Sequence, residues 1–412
     1  MARSAPVFNV SLARSHFPSL SRQAGPAPLI FFDNPAGTQV PVECIEGFTH
    51  YFSHSNANVG GPFLTSRETG DLIREARRQA AAFLGAGPDH DIAFGPNMTS
   101  MTFAVSRAFG DTLREGDEIV LSRLDHDANV STWLALRQKG AVIRWIDIHP
   151  HTATLNMETA TQVIGPRTRL VAIGYASNAF GSINDVAGIT AMAHAHHALV
   201  FVDAVHYAPH GPIDVQALGA DLLVCSAYKF FGPHLGILCG RREVLESLPA
   251  YKVRPASNDP PDKWETGTGN FEGLAGLLGT FAYLRSLCGQ PDPSDREQYL
   301  QTMMAVRAYE RSLSDRLIGG LCSIGAVETY GITNPEEFDA RVPTASFTVR
   351  GREAHAVASE LGDAGIFSWA GNHYAVEPLN RLGLTATNRV GLAHYNTEQE
   401  IDRFLEVLDA LA

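Results

Sequence analysis

Two short apolar runs, each ending in chemically active side chains, restrict this chain more than any other part of it. They are Ala198-Leu-Val-Phe-Val-Asp-Ala-Val-His206 and Ala220-Asp-Leu-Leu-Val-Cys-Ser-Ala-Tyr-Lys229. A strand buried on both faces of a parallel sheet has this pattern and delivers its chemistry at its carboxyl end. The first run delivers Asp203 and His206, the second Ser226 and Lys229.

The surrounding sequence extends the same rhythm. Strands are expected at Glu118 to Leu121, Val142 to Ile146, Arg169 to Ile173, Ala198 to Val202 and Asp221 to Cys225, with helices between them, as in βαβ units covering a mostly parallel sheet. Polar clusters follow successive strands: Asp125-His126, Ser177-Asn178, Asp203 with His206, and Ser226 with Lys229. Ile92 to Met101 reads as a strand, a turn and a helix starting near Thr99, whose free backbone N–H groups suit an anion. Upstream, an amphipathic helix is expected from about Arg67 to Leu84. The chain divides into an arm at 1–30 that packs with the small domain, a large domain at 31–288 and a small α+β domain at 289–412, with Gly289 to Ser294 as linker.

Composition removes several function classes. A net charge of −12 with no basic stripe argues against nucleic acid or an anionic membrane. No apolar run reaches membrane-spanning length, and Cys44, Cys225, Cys239, Cys288 and Cys322 are scattered without a CxxC pair, which fits a reducing cytoplasm. No metal site is expected, because His194, His196 and His197 have no Cys or carboxylate at ligand spacing and read as an exposed helix end.

A lysine near a carboxylate at a sheet rim is also what a structural ion pair looks like. An acid at one strand end and Ser-x-x-Lys at the next, however, suit pyridoxal 5'-phosphate. Its aldehyde bonds to a lysine, its ring nitrogen stays protonated beside a buried carboxylate, and its phosphate takes hydroxyl donors. Lys229, Asp203 and Ser226 would fill these places.

Phe31-Phe-Asp-Asn34, Asp125-His-Asp-Ala-Asn129, Ser226-Ala-Tyr-Lys229, Glu265-Thr-Gly-Thr268 and Tyr395-Asn-Thr-Glu-Gln-Glu-Ile-Asp402 together resemble the class V aminotransferases, most closely the cysteine desulfurase and selenocysteine lyase group. The resemblance implies an α/β fold of the PLP-dependent transferase fold type I: a large domain with a seven-stranded, mostly parallel sheet and a small C-terminal domain. It implies Lys229 as the covalent lysine, Asp203 on the ring nitrogen, His126 stacked on the ring, and Asn178 and His206 near the ring hydroxyl. Met98, Thr99 and Ser226 fall on the phosphate side. Thr268 would reach the phosphate of a second subunit, implying a homodimer with shared sites. Arg389 would hold the substrate α-carboxylate, and Asn34, Ala36, Gly37 and Gly60 would face the substrate.

Three departures bear on the reaction. Desulfurases of the group carry a persulfide-forming cysteine on a small-domain loop, where Ile366 to Ala375 has none and Tyr374 stands in its place; a phenol forms no persulfide. The family His-Lys pair is Tyr228-Lys229, and a family His-Arg pair is Gly60-Gly61. The expected activity is therefore Cβ elimination from an α-amino acid bulkier or less anionic than free cysteine, with Lys229 moving the Cα proton and Tyr374 or His373 protonating the leaving group. Transamination and epimerisation share the early steps, and a catalytically silent scaffold is the non-enzyme alternative.

Overall fold

The structure, a computed structural model, describes residues 8–25, 27–287 and 294–412. Cys288, the expected boundary at 288/289 and the expected linker up to residue 293 lie outside these residues.

The large sheet has strands β1 (His90–Gly95), β2 (Glu118–Ser122), β3 (Val142–Ile146), β4 (Thr168–Gly174), β5 (Leu199–Asp203), β6 (Leu222–Ser226) and β7 (Gly236–Arg241). Their order is β1-β7-β6-β5-β4-β2-β3, and β7 alone runs opposite to the other six. Asp203 pairs with Gly174 and Val224, so the polar ends of β4, β5 and β6 lie side by side. Every residue of β2 and β6 is buried. That is why these strands are continuously apolar rather than alternating.

Helices α1 (Val10–Ser15), α2 (Val42–His54), α3 (Leu64–Leu84), α4 (Met98–Gly110), α5 (Phe271–Ser286), α6 (Asp295–Ser323), α7 (Ala354–Asp363) and α8 (Glu398–Leu411) cover the sheets. On α3 the buried Ala76, Ala80 and Phe83 recur every three or four residues, and the helix stops at Gly85 in the left-handed region at φ +68°. The capping boxes Ser294/Glu297 and Thr397/Glu400 start α6 and α8.

A second, antiparallel sheet follows the order β8 (Val327–Tyr330), β9 (Thr344–Val349), β11 (Thr387–Gly391), β10 (Trp369–Gly371). The sequence places the last strand near Val390 to Ala393; the structure moves it upstream, so Arg389 lies within it. The arm touches both halves. Phe17 packs on Tyr283 and Tyr395 with centroids 5.1 and 4.8 Å away, and Ile30–Phe31 pairs with Ile366–Phe367.

Candidate active site

The carboxyl ends of β1, β2, β4, β5 and β6 surround an inner cavity of about 730 Å³, lined by Met98, Thr99, Asp125, His126, Asn178, Asp203, His206, Ser226 and Lys229 among others. An adjoining outer chamber of about 950 Å³ shares Ala36, Thr99, Phe103, His126, Asn178, Tyr228 and Lys229 and adds Arg389 and residues 369–374. The structure thus gathers residues as far apart in the chain as Ala36 and Arg389, from the rim of the large sheet and from the second sheet.

At the end near β1, the side chain of Asn97 caps α4 by accepting the Ser100 N–H at 2.8 Å, and the Ser226 hydroxyl accepts the Met98 N–H at 2.9 Å. A Cβ at Gly236 would lie 2.5 Å from the Asn97 carbonyl carbon. Only glycine lets β7 run this close to the turn that starts the helix. The Thr99 N–H has no acceptor within the helix. The Ser226 O–H is still able to donate.

At the centre, one oxygen of Asp203 accepts the Val205 N–H at 2.9 Å, and burial raises its carboxyl to about 6. Lys229 donates to the Pro35 carbonyl. Burial, assisted by the Arg389 charge and opposed by Asp203, pushes its ammonium down to about 7. His126 accepts the Ala128 N–H at Nδ1, so its proton sits on Nε2, and burial lowers its pKa to about 3. Behind it Asp125 accepts from Ser122, Asn129 and the Gly174 N–H, and burial raises its carboxyl to about 7. His206 contacts the Thr344 hydroxyl through Nε2 at 3.0 Å, and burial holds it neutral.

On the small-sheet side, Arg389 donates from Nη1 to the Asn178 carbonyl at 2.9 Å, while its Nε and the Asn178 Oδ1 are buried with no partner. Such orphaned groups are rare in native proteins and mark a place for a polar ligand. Asn178 also donates to the His373 carbonyl at 2.8 Å, and the Asp127 N–H donates to the Tyr374 carbonyl at 2.7 Å. These bonds hold His373 and Tyr374 at φ +54° each, a conformation costly for residues with a Cβ. The Tyr374 ring stacks on His126 with centroids 5.5 Å apart. The stretch read from the sequence as one loop contains Ile366–Phe367 and β10 before this strap.

Four expected residues stand apart from the cavity walls. Asn34 spends its amide on the carbonyls of Phe31 and Gly391, both at 2.8 Å, and on Asn396, and accepts from the Tyr395 hydroxyl. Gly37 packs toward the Tyr228 ring, 3.4 Å from a would-be Cβ. Gly60 and Thr268 are exposed. Ala36 lines both cavities. The sequence did not point to Phe103 or His234. Phe103 follows Thr99 by one helical turn, which is a readable signal. His234 stacks on Tyr228 at 4.9 Å and has no such signal.

A sequence profile described as Aminotransferase class-V matches residues 30–404. The chain belongs to that family. Among class V relatives, a cysteine desulfurase of Klebsiella pneumoniae is 31% identical over 98% of both chains. A probable cysteine desulfurase of Mycolicibacterium paratuberculosis is 34% identical over 98% of this chain, which spans 58% of that relative's length. The solved apo structure of the Thermococcus onnurineus cysteine desulfurase superposes with a TM-score of 0.86 at 26% identity, covering 100% of this chain and 98% of that one. The fold is PLP-dependent transferase fold type I, and the chain is a PLP-dependent enzyme of the cysteine desulfurase-like group. The donor set fits that cofactor: a lysine with a near-neutral pKa, a buried carboxylate, and a helix start with a free hydroxyl share one cavity.

Proposed function

We propose that this enzyme catalyses Cβ elimination on an S-substituted α-amino acid, consuming one water and releasing a thiol, ammonia and pyruvate. The observation that carries this reading is the strap. By the family resemblance its Tyr374 matches the sulfur-accepting cysteine, and among the described residues no cysteine lines either cavity. Cys225 is fully buried in β6, where burial raises its thiol far above the usual range.

Pyridoxal phosphate, when bound, supplies an electron sink for negative charge developing at the substrate Cα. Lys229, Asp203, Ser226, Thr99, Met98, His126, Asn178 and His206 would hold it. The Arg389 guanidinium, positive at every working pH, pairs with the substrate carboxylate and satisfies its orphaned Nε. Lys229 Nζ, with a pKa of about 7, is a base poised to take the Cα proton at neutral pH. Tyr374 Oη gives a proton to the departing sulfur. His373 is poorer for this task, because Nε2 contacts the Thr387 hydroxyl at 3.0 Å and burial holds the ring near a pKa of 3.

The exposed Thr268, beyond the cavities of its own chain, supports a homodimer in which it completes the partner's phosphate site. The unpaired Cys44, Cys225, Cys239 and Cys322 support a cytoplasmic location. Purified enzyme given L-cysteine, S-substituted cysteines and a panel of other amino acids tests the reading. Pyruvate with an equimolar thiol is expected. A keto acid matching each substrate, without thiol, would establish transamination instead.

A further inference from the structure

The outer chamber is built for something larger than a thiol. Phe103, Tyr228, Trp369 and Tyr374 form its walls, and Phe103, Trp369 and Tyr374 are 39%, 51% and 70% exposed although they face a concave space. Uncovered aromatic surface converging on one cavity marks an apolar ligand site. At about 950 Å³ the chamber sits at the upper end of the range of roughly 300–1,000 Å³ that holds drug-sized molecules.

Its electrostatics narrow the class further. Lys229 and Arg389 lie at the floor and belong to the machinery at the substrate's Cα, and no other lysine or arginine lines the chamber. His126 and His373 are both held neutral, with pKa values of about 3. Asp127 is the one carboxylate in the lining, and the Ser131 hydroxyl donates to it at 2.7 Å. A negatively charged side-chain group would lose its water beside a carboxylate and find no lysine or arginine of its own, the exposed His355 being the one further histidine in the lining. A flat apolar group would find aromatic faces.

We infer that the sulfur substituent of the substrate is a bulky, uncharged apolar or aromatic group, and that Trp369 and Phe103 determine this specificity. The inference rests on the elimination reading for its sulfur and on the chamber walls for its side chain. Trp369 is positioned by β10, whose antiparallel pairing sets Trp369 opposite Arg389. The residue recognising the side chain is therefore on the strand next to the one holding the carboxylate.

The test compares S-benzyl-L-cysteine, S-methyl-L-cysteine, S-carboxymethyl-L-cysteine and L-cysteine as substrates of the holoenzyme. Calorimetric binding of L-homophenylalanine and L-alanine, which have no leaving group, accompanies it. The benzyl substrate should exceed the methyl one in kcat/KM at least about tenfold, mainly through KM, the scale of discrimination an apolar pocket provides. S-carboxymethyl-L-cysteine should rank below both. Trp369→Ala should cut the benzyl-to-methyl ratio about tenfold, and Phe103→Ala should cut it in the same direction. The inference is overturned if L-cysteine or the carboxymethyl substrate matches the benzyl one, or if neither variant moves the ratio. Tight binding of homophenylalanine over alanine with no thiol from any substrate would uphold the chamber and defeat elimination. Pyruvate from L-cysteine alone would uphold elimination and defeat the chamber.

Discussion

Lys229 should titrate near neutrality in the cofactor-free protein, and this is open to direct measurement. The chain has four lysines, Lys139, Lys229, Lys252 and Lys263, so labelling each one separately is practical. An ammonium with the ordinary pKa near 10.5 is free amine in about one molecule in 3,000 at pH 7, whereas one at about 7 is about half free amine. Burial is the main cause, with Arg389 adding to it and Asp203 resisting it. Competitive acetylation of the apoprotein across pH 5.5 to 11, read by peptide mass spectrometry, gives the midpoint at each lysine. Lys139, held above its ordinary value by Asp111, is the internal reference. Arg389→Gln removes a repelling cation and should move the Lys229 midpoint up. Asp203→Asn removes a carboxylate that, titrating at about 6, is charged at that midpoint, and should move it down. A wild-type midpoint above pH 9, or two variants shifting the same way, would refute the reasoning.

Other variants probe the remaining roles. Lys229→Ala should lose the visible band of the lysine-bound cofactor and all turnover, and wild-type turnover in that variant would end the mechanism. Arg389→Lys replaces a fork with a point charge and should cost about 1.5–3 kcal/mol of carboxylate binding, seen as a roughly ten- to hundredfold fall in kcat/KM. Tyr374→Phe should lower kcat about a hundredfold at nearly constant KM; a change below threefold would leave the ring as a strap only. Phe17→Ala should destabilise the protein by about 3–5 kcal/mol, measured by denaturant unfolding, because its ring is packed among Tyr283, Phe231 and Tyr395.

What could be read from the sequence follows from how local each signal is. Asp203 and Lys229 stood out because strands buried on both faces are apolar along their whole length and end abruptly in polar residues. The direction of β7 was not readable, since an apolar run looks the same in either orientation. Ile366–Phe367 and β10 escaped because segments of two and three residues carry no period. Helix α3 starts at Leu64 rather than Arg67, behind Phe63, which offers no side-chain cap to announce it. Asn34 lies in good turn chemistry and looked like a ligand-facing residue. Its partners Gly391 and Asn396 are 357 and 362 positions away, a distance no local pattern encodes.

That long tie has a consequence for synthesis. Asn34 is made early and its distant amide partners Gly391 and Asn396 among the last residues, after Asp203 and Lys229 are already part of the chain. A nascent polypeptide therefore possesses Lys229 before it possesses Arg389, the residue that faces it across the outer chamber. Pro35, which accepts from Lys229, is the next residue after this tie. Completion of the carboxyl-terminal segment thus closes the tie at Asn34, next to the carbonyl on which the Lys229 amine rests, and brings Arg389 to the same pocket.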